Sequence, residues 1–169
     1  QSLEKVLNKT DKKISGFSKV FTKEKTQNLA ILVTKESLPL YDILIKNQTE
    51  EINSNIKIII SNHKTLEPIA NQFDIDFMHV DIGNKTTTSK VLMKVLDKNN
   101  INLVILARYM QIIPETIVKK YKGRMINIHH GFLPAFKGAR PYHKAWKRGV
   151  KIIGATAHYV TAQLDEGPI

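Results

Sequence analysis

The sequence has no cysteine, which excludes disulfide bridges and thiolate metal sites. No apolar run approaches the ~20 residues that a membrane helix needs. The first residues, "QSLEKVLNKTDKK", lack the apolar core of a secretory signal. A reducing, cytoplasmic setting with no membrane partner is therefore the expectation. Acidic residues are scarce as well: 15 Asp and Glu stand against 26 Lys and Arg, giving a net charge of +11. Such an excess serves nucleic acid or anionic ligands in some proteins. Here the lysines are scattered, with only short pairs such as Lys12-Lys13 and Lys119-Lys120. Without an arginine-rich block or a basic-aromatic stripe, we expect a solvated lysine surface and no nucleic-acid partner.

What is present is a repeating alternation. Compact apolar runs read as buried strands: "NLAILV" (28–33), "IKIIIS" (56–61), "FMHV" (77–80), "INLVILA" (101–107), "RMINIH" (124–129) and "KIIGATAHYV" (151–160). Between them, "SLPLYDILIKNQ", "TLEPIANQF" (65–73) and "KTTTSKVLMKVLDKNN" (85–100) carry apolar residues at helical spacing. "PETIVKKY" starts on Pro114, a residue suited to the first helical position. Strands alternating with helices predict a Rossmann-like α/β domain, its mostly parallel sheet covered on both faces. In such sheets ligands bind beyond the carboxyl ends of the strands. Residues 1–27 are polar and weakly periodic, with Leu3, Val6, Leu7 and Ile14 marking a possible helix.

The ligand rule draws attention to "INIHHGFLPAFKGARPYH" (126–143). Strand side chains alternate, so Asn127 and His129 share one face while Ile128 points the other way, into packing. An amide and an imidazole side by side can donate to one developing oxyanion, at roughly 3–4 kcal/mol per preorganised donor. Imidazole also moves protons near neutral pH. The pair lacks a carboxylate, and "YVTAQLDEGPI" offers Asp165 and Glu166 in a loop after the last strand. Acyl transfer to water or to an amine is the reaction class this suggests. Singly, each of these residues is more often a loop histidine or a turn former. His63 and His79 read as surface or cap residues, His143 as the opening of a helix, and His158 as support for the site. His129, His130, His143, His158 and Asp165 have no recognised metal-ligand spacing, so no metal is expected.

Three stretches, "NIHHGFLPAFKGARPYH", "LARYMQI" and "ATAHYVTAQLDEGPI", together resemble the formyltetrahydrofolate deformylase family over roughly residues 28–169. The resemblance implies a formyltransferase-like catalytic domain that hydrolyses 10-formyltetrahydrofolate to tetrahydrofolate and formate. That activity supplies formate for purine biosynthesis and balances one-carbon pools. It implies a small-molecule folate partner, no separate cofactor and a homo-oligomer. Asn127, His129 and Asp165 match the family's catalytic set. The folate would sit near Leu106, Met110, Gln111 and Ile113, under the Asp165–Glu166 loop and beside His158. The loop through Gly138 would shape the formyl pocket.

The same resemblance separates hydrolase from transferase. Related phosphoribosylglycinamide formyltransferases follow the first strand with a glycine-rich loop whose backbone N–H groups hold a phosphate. Here Thr34-Lys35-Glu36-Ser37 follows, without glycine and with a carboxylate that repels an anion. Gln111 stands where the transferases usually carry arginine. A transferase, or a catalytically inactive folate-binding domain, are the rival readings. The chain also departs from the deformylase pattern. Gly131 replaces the usual serine after the two histidines. Residues 1–27 read as the tail of an absent N-terminal ACT-type domain and its linker, and 28–169 as a C-terminally truncated catalytic domain. The Asp165 loop is accordingly expected to lack a strand beyond it that holds it in place.

Overall fold

The computed structural model describes residues 3–18, 26–81, 83 and 85–169. The chain forms α1 (Leu3–Ile14), β1 (Gln27–Val33), α2 (Leu38–Gln48), β2 (Ser54–Ser61), α3 (Glu67–Gln72), β3 (Asp76–His79) and α4 (Lys85–Lys98). It continues through β4 (Leu103–Ala107), α5 (Glu115–Lys120), β5 (Met125–His129), α6 (Pro141–Lys147) and β6 (Thr156–Tyr159). A single 3-10 turn, Lys64–Leu66, leads into α3. The six strands make one sheet in the order β3-β2-β1-β4-β5-β6. All neighbours pair parallel except β5 and β6, which are antiparallel.

The alternation of strand and helix thus yields the doubly covered parallel sheet that it predicts. β1 is the centre, and Leu29 through Val33 are wholly buried. Alternate residues of β1 enter opposite cores. Ala30 and Leu32 pack with Leu92 and Leu96 of α4, Ile117 of α5 and Tyr121. Leu29, Ile31 and Val33 pack with Leu40 and Leu44 of α2 and Ile69 of α3. A strand flanked by apolar layers on both sides must be a continuous apolar run, as "NLAILV" is.

Several expectations are corrected. The stretch 151–160 is strand only over Thr156–Tyr159, because its preceding residues find no partner on β5. Pro114 precedes the helix instead of opening it. Its ψ of 137° is extended, so Glu115 is the first helical residue. Ile128 does not enter packing but stays 39% exposed. Its side of the sheet is the side α2 and α3 cover at β1 and β2, and their buried residues are grouped around those two strands. α1 forms where the spacing of Leu3, Val6, Leu7 and Ile14 allows a helix, and Leu3, Val6 and Ile14 are exposed on it. Of the segment 1–27 read as tail and linker, residues 1–2 and 19–25 lie outside the described residues.

Candidate active site

Pairing of β5 with β6 assembles the site. Asn127 lies opposite His158, and His129 opposite Thr156. Residues directly opposite in an antiparallel pair share a face, so these four side chains stand on one side of the sheet. Asn127 also pairs with Leu106 of β4, whose side chain belongs to the α4–α5 core.

The two histidines have defined proton positions, because each points one ring nitrogen at a carbonyl that can only accept. His129 Nε2 lies 2.8 Å from the Phe136 carbonyl oxygen, so Nε2 carries hydrogen and donates. Its Nδ1 then faces Asp165, 3.4 Å from Oδ2. His158 Nδ1 lies 3.1 Å from the Tyr159 carbonyl oxygen and donates there. That leaves His158 Nε2 to accept from Asn127 Nδ2 at 3.2 Å. Asn127 keeps its second amide hydrogen for another partner.

Asp165 lies between the two, facing the nitrogen of each that carries no hydrogen. Its Oδ2 accepts the Gly138 N–H at 2.8 Å, and its Oδ1 is 3.8 Å from His158 Nε2. Asp165, His129 and His158 are all deeply buried, at 7%, 5% and 4% exposure, so their interactions are weakly screened. Asp165 takes a left-handed backbone, φ 55°, a conformation that is costly for a residue other than glycine and recurs at functional sites.

The Asp165 loop is held against β6 by its own backbone. Tyr159 N–H donates to the Pro168 carbonyl at 2.8 Å, folding the loop back on β6. Gly167 makes this possible: a Cβ there would fall 1.5 Å from the Tyr159 carbonyl oxygen. Gly131 has a comparable reason. A Cβ at that position would fall 2.6 Å from Pro141 Cβ, so the serine of the deformylase pattern does not fit without moving the start of α6. The hydroxyl here comes from Thr156 instead. Its Oγ1 donates to the Gly131 carbonyl at 2.8 Å and accepts the Leu133 N–H at 3.1 Å.

A cavity of about 550 Å³ opens beside these groups. Asn127, His158 and Asp165 line it, with Leu106, Gln111 and Ile113. Tyr109, Val160 and Leu164 contribute to its apolar wall, and burial pushes the Tyr109 phenol up from its ordinary range. Of the residues expected around a folate, Met110 is 58% exposed and does not line the cavity. Gly138 meets the site through its N–H to Asp165, and Glu166 is turned to Lys137 at 2.9 Å. His129 reaches the cavity through Asp165. His130 sits edge-on to Tyr142, with ring centroids 5.5 Å apart. Burial, then the charges of Arg108 and His129, hold its imidazole below the usual range. A hollow of about 600 Å³ at the other end of the sheet, lined by Asn47, Ser54, Gln72 and Asp74, gathers no histidine or comparable catalytic set. His63 precedes the 3-10 turn without a side-chain cap bond, and His79 is exposed.

Sequence reasoning missed Thr156, Tyr109, Val160 and the Phe136 carbonyl. The first and third could have been found only by knowing that β6 runs antiparallel to β5. A backbone carbonyl leaves no trace in residue type.

Known proteins resemble this chain in sequence and fold. The family model described as formyl transferase matches residues 27–169. A formyltetrahydrofolate deformylase from Synechocystis sp. is 51% identical over 143 residues, which are 83% of this chain and 50% of that protein. The Escherichia coli protein of the same name is 45% identical, over 85% of this chain and 52% of its own length. The chain spans about half the length of the curated relatives it matches. Among solved structures, a formyltetrahydrofolate deformylase from Pseudomonas syringae pv. tomato superposes with a TM-score of 0.84. It is 36% identical and is matched over 100% of this chain and 58% of its own. A glycinamide ribonucleotide transformylase from Symbiobacterium toebii gives a TM-score of 0.81 at 29% identity, over 90% of this chain and 74% of its own. With the sheet order, the β5–β6 site and a family match that runs from β1 to the last residue, this chain belongs to the formyl transferase family.

Proposed function

We propose that the chain carries the catalytic part of a formyltetrahydrofolate deformylase, cleaving 10-formyltetrahydrofolate with water to give tetrahydrofolate and formate. One observation carries the reading above the others. Asp165 is fixed through Oδ2 by the Gly138 N–H, with His129 Nδ1 3.4 Å from the same oxygen, while the residue itself lines a cavity together with Asn127. A carboxylate so held can orient and deprotonate a water.

In this reading, the water oxygen bonds to the formyl carbon and its proton passes to Asp165. The free Nδ2 hydrogen of Asn127 donates to the oxyanion that develops. The carbon–nitrogen bond to the folate then breaks, the nitrogen takes the proton back from Asp165, and the formic acid so formed leaves as formate after giving the water's second proton to solvent. His129 can take a second proton only at Nδ1, where the resulting imidazolium faces Asp165. His158 acts by holding the amide of Asn127 in one orientation. The pterin lies against Leu106, Gln111 and Ile113, with exposed Met110 and Glu166 at the outer rim. The identities of 41–51% with curated deformylases support this reading over a transferase. So does the loop after β1, where Glu36 stands and glycine is absent.

The reading includes no cofactor beyond the substrate, a cytoplasmic setting and a homo-oligomer. No helix among the described residues is long and apolar enough to cross a membrane, which fits it. Formate release from 10-formyltetrahydrofolate, compared with Asp165→Asn, is the test. Release should fall about 1,000-fold in the variant, the range for loss of a positioned proton acceptor. Formyl transfer to glycinamide ribonucleotide without free formate would establish a transferase instead.

A further inference from the structure

Two buried side-chain polar atoms among the described residues have no hydrogen-bond partner: Asn62 Oδ1 and Arg108 Nε. They occupy equivalent places. Asn62 follows Ser61, the last residue of β2, and Arg108 follows Ala107, the last of β4. Ser61 and Ala107 both pair with Val33, the last residue of β1. Asn62 and Arg108 therefore flank Thr34 above the carboxyl end of the central strand. The chain passes outward from β1 to β2 and β3 on one side, then to β4, β5 and β6 on the other. The mouth between β1 and β4 is thus the switch point of the sheet, where α/β folds take ligands.

The loops around this mouth are fixed by hydrogen bonds. Thr34 Oγ1 accepts the Met110 N–H at 3.0 Å, and Ser61 Oγ donates to the Thr34 carbonyl at 3.1 Å. Those bonds tie the loops after β1, β2 and β4 together. Arg108 adopts the left-handed region, φ 58°, and forms no ion pair among the described residues. A partly buried guanidinium with an unused, buried N–H is costly unless something supplies an acceptor. Its charge is felt at His130, the neighbour of His129. Arg108 does not line the folate-side cavity, although Leu106, Tyr109 and Gln111 do.

We infer that the switch-point mouth between Asn62 and Arg108 binds a small carboxylate, the formate released by the reaction, with the Arg108 guanidinium as its counter-charge. The inference rests on the deformylase reading for the identity of the anion. Planar guanidinium suits a planar carboxylate, which it can hold through two parallel hydrogen bonds. One arginine balances the single charge of formate, whereas Glu36 in the adjoining loop opposes the double charge of a phosphate. Asn62 adds a donor to the carboxylate only with its amide flipped, which puts Nδ2 where the unpartnered acceptor Oδ1 now lies.

Titration of the protein with sodium formate, without folate, tests this. The readout is the His130 ring resonance, against sodium chloride at matched ionic strength. A saturable shift specific to formate is expected. In Arg108→Gln the dissociation constant should rise about tenfold or more, as for loss of a charge-assisted pair. Arg108→Lys, which keeps the charge and guards against a folding artefact, should fall between. The inference is overturned if formate shifts His130 no more than chloride does, or if Arg108→Gln binds formate as the parent does. It is overturned too if Arg108→Gln raises KM for 10-formyltetrahydrofolate while formate binding stands unchanged. The guanidinium would then serve a carboxylate of the folate. Arg108-dependent formate binding in a protein that releases no formate from 10-formyltetrahydrofolate would keep the site and refute the deformylase reading.

Discussion

The β1–β2 half of the sheet and the β5–β6 edge are built on opposite terms. In the first, both faces are covered, and the side chains of β1 from Leu29 to Val33 are wholly buried in two apolar clusters. In the second, one face carries Asn127, His129, Thr156 and His158, all bonded to each other's strands or loops. The other face leaves Ile128 and Tyr159 39% and 41% exposed. The centre of the sheet is held by burial, which is non-directional and tolerant of detail. The edge is held by hydrogen bonds with fixed donors and acceptors, which position chemistry but contribute little net stability, about 1 kcal/mol each. One sheet thus separates its stability from its reactivity by strand.

Substitutions can break that separation. The largest expected effect on stability lies at the centre. Ile31→Ala should cost about 3–4 kcal/mol by cavity formation, read from urea unfolding. Ile128→Ala, the same chemistry on the exposed face, should cost under about 1 kcal/mol. Equal losses at the two positions would show that the edge is as well packed as the core.

At the edge the largest effect should be on rate. Gly167→Ala puts a methyl group where the Tyr159 carbonyl lies, so the Asp165 loop must move. Turnover of 10-formyltetrahydrofolate should fall about 100-fold, since ~1 Å of misplacement has that effect. The unfolding midpoint should move far less than in Ile31→Ala.

Thr156→Val tests the clamp on the loop after His129. Removing the hydroxyl leaves the Leu133 N–H and the Gly131 carbonyl without their side-chain partner. We expect kcat to drop roughly tenfold with KM little changed, and Thr156→Ser to restore it. A KM effect of equal size would place Thr156 in substrate binding.

The smallest effect concerns pH. His130 is held below the ordinary imidazole value of 6.5, chiefly by burial. Between its folded and unfolded pKa values the unfolded chain binds more protons, so stability rises with pH across that window. The contribution is present above about 6.5 and is lost as pH falls through the lower, folded value. His130→Gln should flatten the dependence below pH 6.5 in thermal melts, and an unchanged slope would remove His130 from the account.

The strands of the covered half were legible as runs, because burial on both faces demands apolar residues at every position. The helices were legible from spacing, since one buried stripe recurs with the helical period. The edge was less readable for the same reason in reverse. "KIIGATAHYV" is apolar enough for a long strand, yet only Thr156–Tyr159 pairs. Ile128 looked like a packing residue because alternation gives a face but not what covers it. Met110 adjoins Gln111 in sequence but not in the cavity wall, since the irregular stretch 108–114 does not keep strand alternation.

By itself the sequence determined the parallel α/β architecture, the shared face of Asn127 and His129 and the presence of a carboxylate within reach at Asp165. These follow from local rules: hydrophobic period, strand alternation and residue chemistry. Only the tertiary structure decided that β6 returns antiparallel, bringing His158 against Asn127 and Thr156 against the loop after His129. It alone decided which histidine nitrogens hold protons, and that Asn62 Oδ1 and Arg108 Nε lack hydrogen-bond partners among the described residues at the switch point. Those outcomes depend on which distant backbone groups meet, and no residue carries that information in its own identity or in its neighbours'.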